Sequence, residues 1–156
     1  MPLLQPLKGS PQELRSEMQL VLNSLAEGIV GVDGHGRATF CNQSLLRMTG
    51  YRASEIIGQP VHGLIHHSRP DGSPYPRTEC PLRNALLSKA PVHSTREVIW
   101  RKDGTSIPVE YRAYPDPGSA IRTACVVTVH DISEREDALA ALRTSDERFQ
   151  QIQQQH

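Results

Sequence analysis

Four side chains that could bind a metal or react with an oxidant lie close together in the middle of the chain: His62, His66, His67 and Cys80. A neutral imidazole can bind zinc or haem iron, and a thiolate can bind metals or react with oxidants. His62 and His66 are four residues apart, so a helical segment would place both on one face. The set has no Cys-x-x-Cys pair and is a poor zinc signature, so we predict no metal site. Proline and polar residues surround the three histidines and favour an exposed loop there.

Cys80 is the best candidate for a redox-sensitive thiol. It precedes Pro81 at the start of a predicted helix, where the helix dipole can lower the pKa of a thiol. A structural role is nevertheless the simpler interpretation. Cys41 and Cys125 lie in apolar strand segments and are expected to be small buried residues. Three cysteines at wide spacings predict no disulfide framework, so a reducing, cytoplasmic location is expected.

Several other kinds of function are disfavoured. There is no Gly-x-Ser-x-Gly elbow, phosphate-binding glycine loop or His-Glu-x-x-His helix, so no enzymatic activity is expected within these residues. The 17 Lys and Arg residues balance 17 Asp and Glu residues, which argues against nucleic-acid binding as the main role. No apolar run approaches the roughly 20 residues that a membrane helix needs.

The elements that would position these side chains begin with an amphipathic helix. Ser10 and Glu13 flank Pro11 and form a capping-box pattern. An apolar stripe follows at spacings of three and four residues: Leu14, Met18, Val21, Leu22 and Leu25. A small domain need not bury this stripe against itself, and an exposed stripe marks an interface. We therefore expect a homodimer paired through Leu14, Met18, Val21 and Leu25; the alternative is that the helix folds back over its own sheet.

Alternating apolar residues predict five strands. Two short strands, at 29–32 and 37–41, are joined by a glycine-containing turn. Three longer strands, at 92–100, 105–114 and 120–129, form a meander. A lone hairpin is only marginally stable, so the two sets should share one sheet. Short helices and the proline-rich residues 59–81 separate them.

The chain from Ile132 onward is predicted to be helical. Ile132, Leu139, Leu142 and Phe149 lie at seam positions of a heptad pattern, although Asp146 interrupts the seam. The pattern covers too few heptads to establish a coiled coil. We expect the chain to be part of a longer protein.

Five motifs, in order, resemble the PAS family. Residues 42–51 (NQSLLRMTGY) resemble its first helix, and residues 55–58 (EIIG) match the Glu-x-x-Gly that commonly follows. Residues 101–105 (RKDGT) and 108–110 (PVE) resemble its next-to-last hairpin. Residues 131–135 (DISER) resemble its closing signature. Each motif is weak alone, but the ordered set is specific.

The resemblance implies an α+β fold, a five-stranded antiparallel sheet with short helices on one face and a helix at each end. Residues 1–18 would form a helical lead-in, 19–131 the PAS domain and 132–156 a signalling helix. PAS domains are sensory and dimerising modules, usually attached to kinases, cyclases or transcription activators. The implied role is a two-component-type relay to an absent output domain, with Asp131, Ile132 and Ser133 coupling the sheet to the exit helix.

A ligand pocket would lie between the sheet and the helices. Its expected walls are Val30, Phe40, Leu46, Ile65, Leu86, Val109 and Val127, which could equally fill the core. Some PAS domains bind haem through a histidine, which here would be His62, His66 or His67. Trp100 could contact a flavin, although the Asn-Cys-Arg-Phe-Leu-Gln stretch of the light-sensing subclass is absent. The low aromatic content disfavours both cofactors, so three functions stay open: a relay, a haem- or metal-binding gas or redox sensor, and a ligand-free scaffold.

Overall fold

A computed structural model describes residues 9–118 and 121–154. The elements occur in the following order: α1 (Pro11–Asn23), β1 (Gly28–Val32), β2 (Ala38–Cys41), α2 (Gln43–Thr49), α3 (Ala53–Ile56), α4 (Val61–Ile65), α5 (Pro81–Ser88), β3 (Val92–Trp100), β4 (Ser106–Pro115), β5 (Cys125–Asp131) and α6 (Ser133–Gln154). A single 3-10 turn, Arg77–Glu79, precedes α5.

The five strands form one antiparallel sheet in the order β2-β1-β5-β4-β3. The two early strands join the later meander because β5 returns beside β1, with Gly28 opposite Val129 and Val32 opposite Cys125. The predicted α+β class and five-stranded sheet are therefore confirmed. The last strand begins at Cys125 rather than at residue 120, which lies outside the described residues.

One buried asparagine joins the first helix, the first strand and the second helix. The Asn42 side-chain oxygen accepts hydrogen bonds from the amides of Ile29, at 2.8 Å, and Leu45, at 3.1 Å. Its amide group donates to the carbonyls of Leu22, at 2.8 Å, and Glu27, at 2.9 Å. Asn42 thus caps the N-terminus of α2, and it also fixes how α1 leads into the sheet.

The core lies between one face of the sheet and helices α2 to α5. Fully buried side chains from separate elements meet there, among them Val30 of β1, Leu45 of α2, Ile65 of α4, Ala85 of α5 and Val109 of β4. Burial of each large aliphatic side chain contributes roughly 1.5–3 kcal/mol relative to exposure. The short helices are thus held in place by packing against the sheet.

A β-bulge interrupts strand β3. The register with β4 shifts between Ser94 and Glu97, and Arg96 adopts a left-handed backbone with φ of 61°. A bulge adds one residue and reverses which side chains face inward. Beyond the bulge, Glu97 is buried while Arg96 is exposed.

Helix α1 has no buried residue among its 13 positions. Met18 is 53% exposed, Val21 61% and Leu25 44%, whereas Leu14 is half-buried. The helix therefore does not fold this stripe back over its own sheet.

Helix α6 begins directly after strand β5. Asp131 Oδ1 accepts hydrogen bonds from the Ser133 amide, at 2.9 Å, and the Ser133 hydroxyl, at 2.6 Å. The Ile132 amide donates to the Pro108 carbonyl at 3.0 Å, and the Ile132 side chain is buried. Farther along, Leu139, Leu142, Phe149 and Ile152 are exposed. Among the described helices, none is long and apolar enough to cross a membrane.

Candidate functional site

The segment between α4 and α5 folds back on itself. Ser68 bridges to Pro74, and the Tyr75 amide donates to the His67 carbonyl at 2.9 Å. At the tip, Asp71 Oδ1 accepts from the Ser73 amide at 2.9 Å. This return brings Tyr75 and then Cys80 against the histidines of α4. The prediction of an exposed loop is therefore wrong for His66, which is only 6% exposed, and Cys80 beside it is only 2% exposed.

His66 lies between Cys80 and Glu97. Its Nδ1 is 3.4 Å from Cys80 Sγ, and its Nε2 is 2.8 Å from Glu97 Oε2. A carboxylate accepts hydrogen bonds, so Nε2 carries a proton that it donates to Glu97. Glu97 also accepts from the Ser94 hydroxyl at 2.8 Å and, on the same oxygen, from the Tyr75 hydroxyl at 3.4 Å. A buried charge with these partners is stabilised rather than isolated.

The protonation of this group follows from its mutual contacts. Burial opposes charge on each member, but hydrogen bonds to Cys80 and Glu97 raise the pKa of His66 to about 9. Burial raises the pKa of Cys80, but the neighbouring His62 and His66 rings lower it by more, so the net result is a fall to about 6. The pKa of Glu97 is lowered by His66 and Ser94 against the effect of burial. The arrangement therefore favours a thiolate beside an imidazolium that a carboxylate holds.

His62 lies on the same turn of helix and is half-buried. Its Nε2 is 2.8 Å from the Tyr75 carbonyl oxygen, which can only accept, so Nε2 carries the proton. Its Nδ1 is buried and has no hydrogen-bond partner among the described residues. One ring nitrogen of His62, one of His66 and Cys80 Sγ lie within 4.8 Å of one another. The fold thus brings together three of the four side chains singled out in the sequence.

Two tyrosines enclose the histidines. The Tyr75 ring centroid lies 4.7 Å from that of His66, and the Tyr111 ring meets His66 edge-on at 5.6 Å. The Tyr111 hydroxyl is buried and, within the described part of the chain, has no hydrogen-bond partner. Burial and the nearby Cys80 raise the pKa of Tyr111, so the hydroxyl stays protonated.

Two cavities meet at this cluster. A small one of about 30 Å³ is lined by His62, His66, Cys80 and Tyr111 together with apolar side chains of the sheet, α4 and α5. A larger one of about 250 Å³ opens between the β1–β2 turn, α4 and α5 and includes His62, Cys80 and Arg77 in its walls. His62, Cys80 and Leu82 line both cavities, so they form the partition between the surface pocket and the core.

His67 and Trp100 lie outside the cluster. The His67 ring stacks on Trp100 at a centroid distance of 5.7 Å, and Trp100 Nε1 donates to the Ser68 carbonyl at 2.9 Å. His67 is exposed, and its Nδ1 lies 2.7 Å from the Ser68 hydroxyl. These two residues pack the folded-back segment against edge strand β3.

The predicted pocket wall divides between the cavities and the core. Val30, Ile65 and Val127 line the small cavity, and Leu86 lines the larger one. The other three residues line neither cavity. Val109 is buried in the core, and Leu46 packs against the edge of that core. The Phe40 ring lies over Gly31 of the neighbouring strand.

Sequence reasoning missed Glu97, Tyr75 and Tyr111. Tyr111 falls on the apolar face of a strand, where alternation alone predicts no more than a core residue. Glu97 follows Arg96, and two adjacent charged residues in a strand do not indicate a buried carboxylate. The usable signal was the His-x3-His spacing of His62 and His66, which puts both imidazoles on one face before a cysteine.

The family comparison matches this architecture. The family model described as PAS fold matches residues 16–132, from the middle of α1 to the residue before α6. No curated protein matches the chain.

Solved structures show the same fold at low sequence identity. A PAS domain of an HTR-like protein from Haloarcula marismortui is 16% identical, with a TM-score of 0.61, over 78% of this chain and 93% of that chain. The PAS domain of nitrogen regulation protein NR(II) from Vibrio parahaemolyticus is 17% identical, with a TM-score of 0.59, over 74% and 97%. A PAS domain from a two-component sensor histidine kinase is 13% identical, with a TM-score of 0.60, over 77% and 98%.

Proposed function

Since the chain belongs to the PAS family, whose members are sensory modules of signalling proteins, we propose that it relays a signal from its core through α6 to an output domain. The output domain would be a kinase, a cyclase or a transcription activator on the same polypeptide. One similar structure comes from a two-component sensor histidine kinase, which supports the kinase as the first choice. The module acts as a homodimer and is regulatory rather than catalytic.

The start of α6 carries this proposal. Ile132 is buried and its amide is bound to Pro108 of β4, while Arg135 reaches Glu110 of the same strand at 3.2 Å. A displacement of β4 or β5 therefore moves the first turn of the helix directly. The apolar residues beyond that turn are exposed, so they are available to carry the displacement to a partner helix.

The exposed stripe on α1 supports dimerisation. Met18, Val21 and Leu25 are all more than two-fifths exposed, and Leu20 beside them is 70% exposed. Apolar groups at such spacing gain free energy when a second copy covers them, at roughly 25 cal/mol per Å² of buried apolar area. We assign this stripe, together with half-buried Leu14, to pairing between two α1 helices.

Light scattering tests the dimer. The wild-type chain is expected to be dimeric, and the substitution Val21→Glu should make it monomeric by placing a charge within the interface. Leu87→Glu is the matched control, because Leu87 is 71% exposed on α5 and lies outside the stripe. A wild-type monomer at high concentration would refute the assignment, as would a V21E variant that stays dimeric.

Hydrogen exchange tests the coupling. Ile132→Ala removes the buried anchor of α6, so amides in its first turns should exchange faster while the sheet stays protected. Leu142→Ala is the control on the same helix, because Leu142 is 65% exposed. Equal exchange in the two variants would show that Ile132 does not couple the helix to the sheet.

A further inference from the structure

The His62, His66 and Cys80 donor atoms converge on one point inside the fold. All three lie within 4.8 Å of one another, and the Cys80 Sγ to His66 Nδ1 distance is 3.4 Å. In a tetrahedral zinc site with ordinary bond lengths, a sulfur and a nitrogen ligand lie about 3.6 Å apart. Shifts of about 1 Å would therefore bring all three atoms into bonding distance of one ion.

The hydrogen bonds around the two histidines orient their Nδ1 atoms as ligands. His66 donates Nε2–H to the Glu97 carboxylate, and His62 donates Nε2–H to the Tyr75 carbonyl. Metal-binding histidines nearly always donate their other ring nitrogen to a carboxylate or a backbone carbonyl, which fixes the tautomer and raises ligand basicity. Both partners are thus already in place, and a bound metal ion would displace to solvent the proton that His66 Nδ1 shares with the Cys80 thiolate.

His62 and Tyr111 both line the small, largely apolar cavity beside the donors. His62 Nδ1 and the Tyr111 hydroxyl are both buried and lack a hydrogen-bond partner among the described residues. Buried polar atoms are nearly always paired, and both residues lie beside Cys80, so a guest such as an ion or a water molecule next to its sulfur would pair them. A volume of about 30 Å³ admits an ion or a water molecule and is far below that of a cofactor pocket.

We propose that His62, His66 and Cys80 bind one divalent transition-metal ion of the zinc class, with Glu97 and the Tyr75 carbonyl as their supporting partners. Two imidazoles and one thiolate suit an ion of borderline softness. Three protein ligands leave a fourth position, which a small ligand or water completes. The larger cavity, lined by His62 and Cys80, provides access from the surface. This inference stands apart from the relay through α6.

Cobalt(II) is the probe for the thiolate ligand. The full chain is stripped with a chelator under reducing conditions and then titrated with Co²⁺. The expected result is one equivalent bound, with the charge-transfer absorption of a cobalt–thiolate bond, and Zn²⁺ should abolish that absorption by displacement. Cys80→Ser should lose the band, whereas Cys125→Ser, which removes a buried cysteine of β5, should keep it. Wild-type protein without the band would overturn the proposal and leave water as the guest.

The supporting partner distinguishes a built site from adventitious binding. Glu97→Gln keeps the shape of the side chain but removes its charge, and loss of such a partner lowers metal affinity roughly 10- to 100-fold. His62→Gln should weaken binding at least as strongly, and circular dichroism checks that each variant is folded. His35→Gln is the control, because His35 is an exposed histidine in the turn before β2. Equal affinity in all of these variants would assign the metal to surface histidines and overturn the proposal.

Discussion

Asn42→Ala should be among the most damaging substitutions of a polar residue in this chain. The buried side chain makes four hydrogen bonds, two accepted and two donated, and alanine removes them all. At roughly 1 kcal/mol net for each bond, and more where a buried group is left unpaired, the loss is about 4 kcal/mol. That is a large fraction of the roughly 5–15 kcal/mol that stabilises a typical domain.

Urea unfolding followed by circular dichroism measures this loss. With a slope of about 2 kcal/mol per molar urea, the midpoint should fall by about 2 M. Asn23→Ala is the matched control, since Asn23 is exposed and its Oδ1 accepts one hydrogen bond, from the Gln43 amide at 3.0 Å. That variant should lose only about 0.5 kcal/mol.

Asn42→Asp refines the same test. Aspartate keeps the oxygen that accepts from Ile29 and Leu45 but turns a second oxygen toward the carbonyls of Leu22 and Glu27. The two donated bonds are lost and replaced by repulsion, so this variant should not regain wild-type stability. The hydrogen-bond argument fails if Asn42→Ala costs no more than Asn23→Ala, or if Asn42→Asp is as stable as wild type.

Three further outcomes follow from the fold. Arg96→Gly should change thermal stability little, because glycine tolerates the φ of 61° but increases the entropy of the unfolded chain. Arg96→Val, by contrast, should cost about 1–2 kcal/mol, because a β-branched residue is strained at this φ. Equal melting temperatures for the glycine and valine variants would refute this expectation. Gly31→Ala should cost about 1–3 kcal/mol, because its Cβ would collide with the Phe40 ring, and a Phe40→Leu background should reduce that cost in a double-mutant cycle. A hydrogen bond from Lys102 and another from a backbone amide lower the pKa of Glu55 from 4.5 to about 2. The contribution of ionised Glu55 to folding stability is therefore present above pH 4.5 and disappears as the pH falls toward 2. Glu55→Gln should flatten the fall in unfolding free energy over that pH range, and an unchanged fall would contradict the assignment.

The fold could be predicted because its signals are local. Strand alternation, the Asn42 cap and the glycine-containing turns each specify structure over a few residues, and their order matched a known family. The bulge at Arg96 could not be predicted, because a non-glycine residue with positive φ is imposed by packing on both sides rather than by its own preference.

The candidate site was only partly predictable for a related reason. Residues 59–81 contain many prolines, which disfavour regular structure and therefore suggested exposure. The burial of His66 and Cys80 results instead from non-local contacts, with Tyr75 folding back over α4 and Glu97 reaching across from β3. Spacing identified two ligand-type histidines on one face, but only the tertiary fold supplied their partners.

The sheet order has a consequence for how such a domain can be combined with others. Chain entrance and exit lie side by side, because β1 and β5 are antiparallel neighbours and Gly28, at the start of β1, is paired with Val129, near the end of β5. Glu27 and His130 span this junction at 3.7 Å. A domain whose two ends meet in this way can be inserted into, duplicated within or removed from a longer polypeptide without separating the flanking segments. The same geometry therefore makes the unit easy to rearrange between proteins, whatever its flanking helices are joined to.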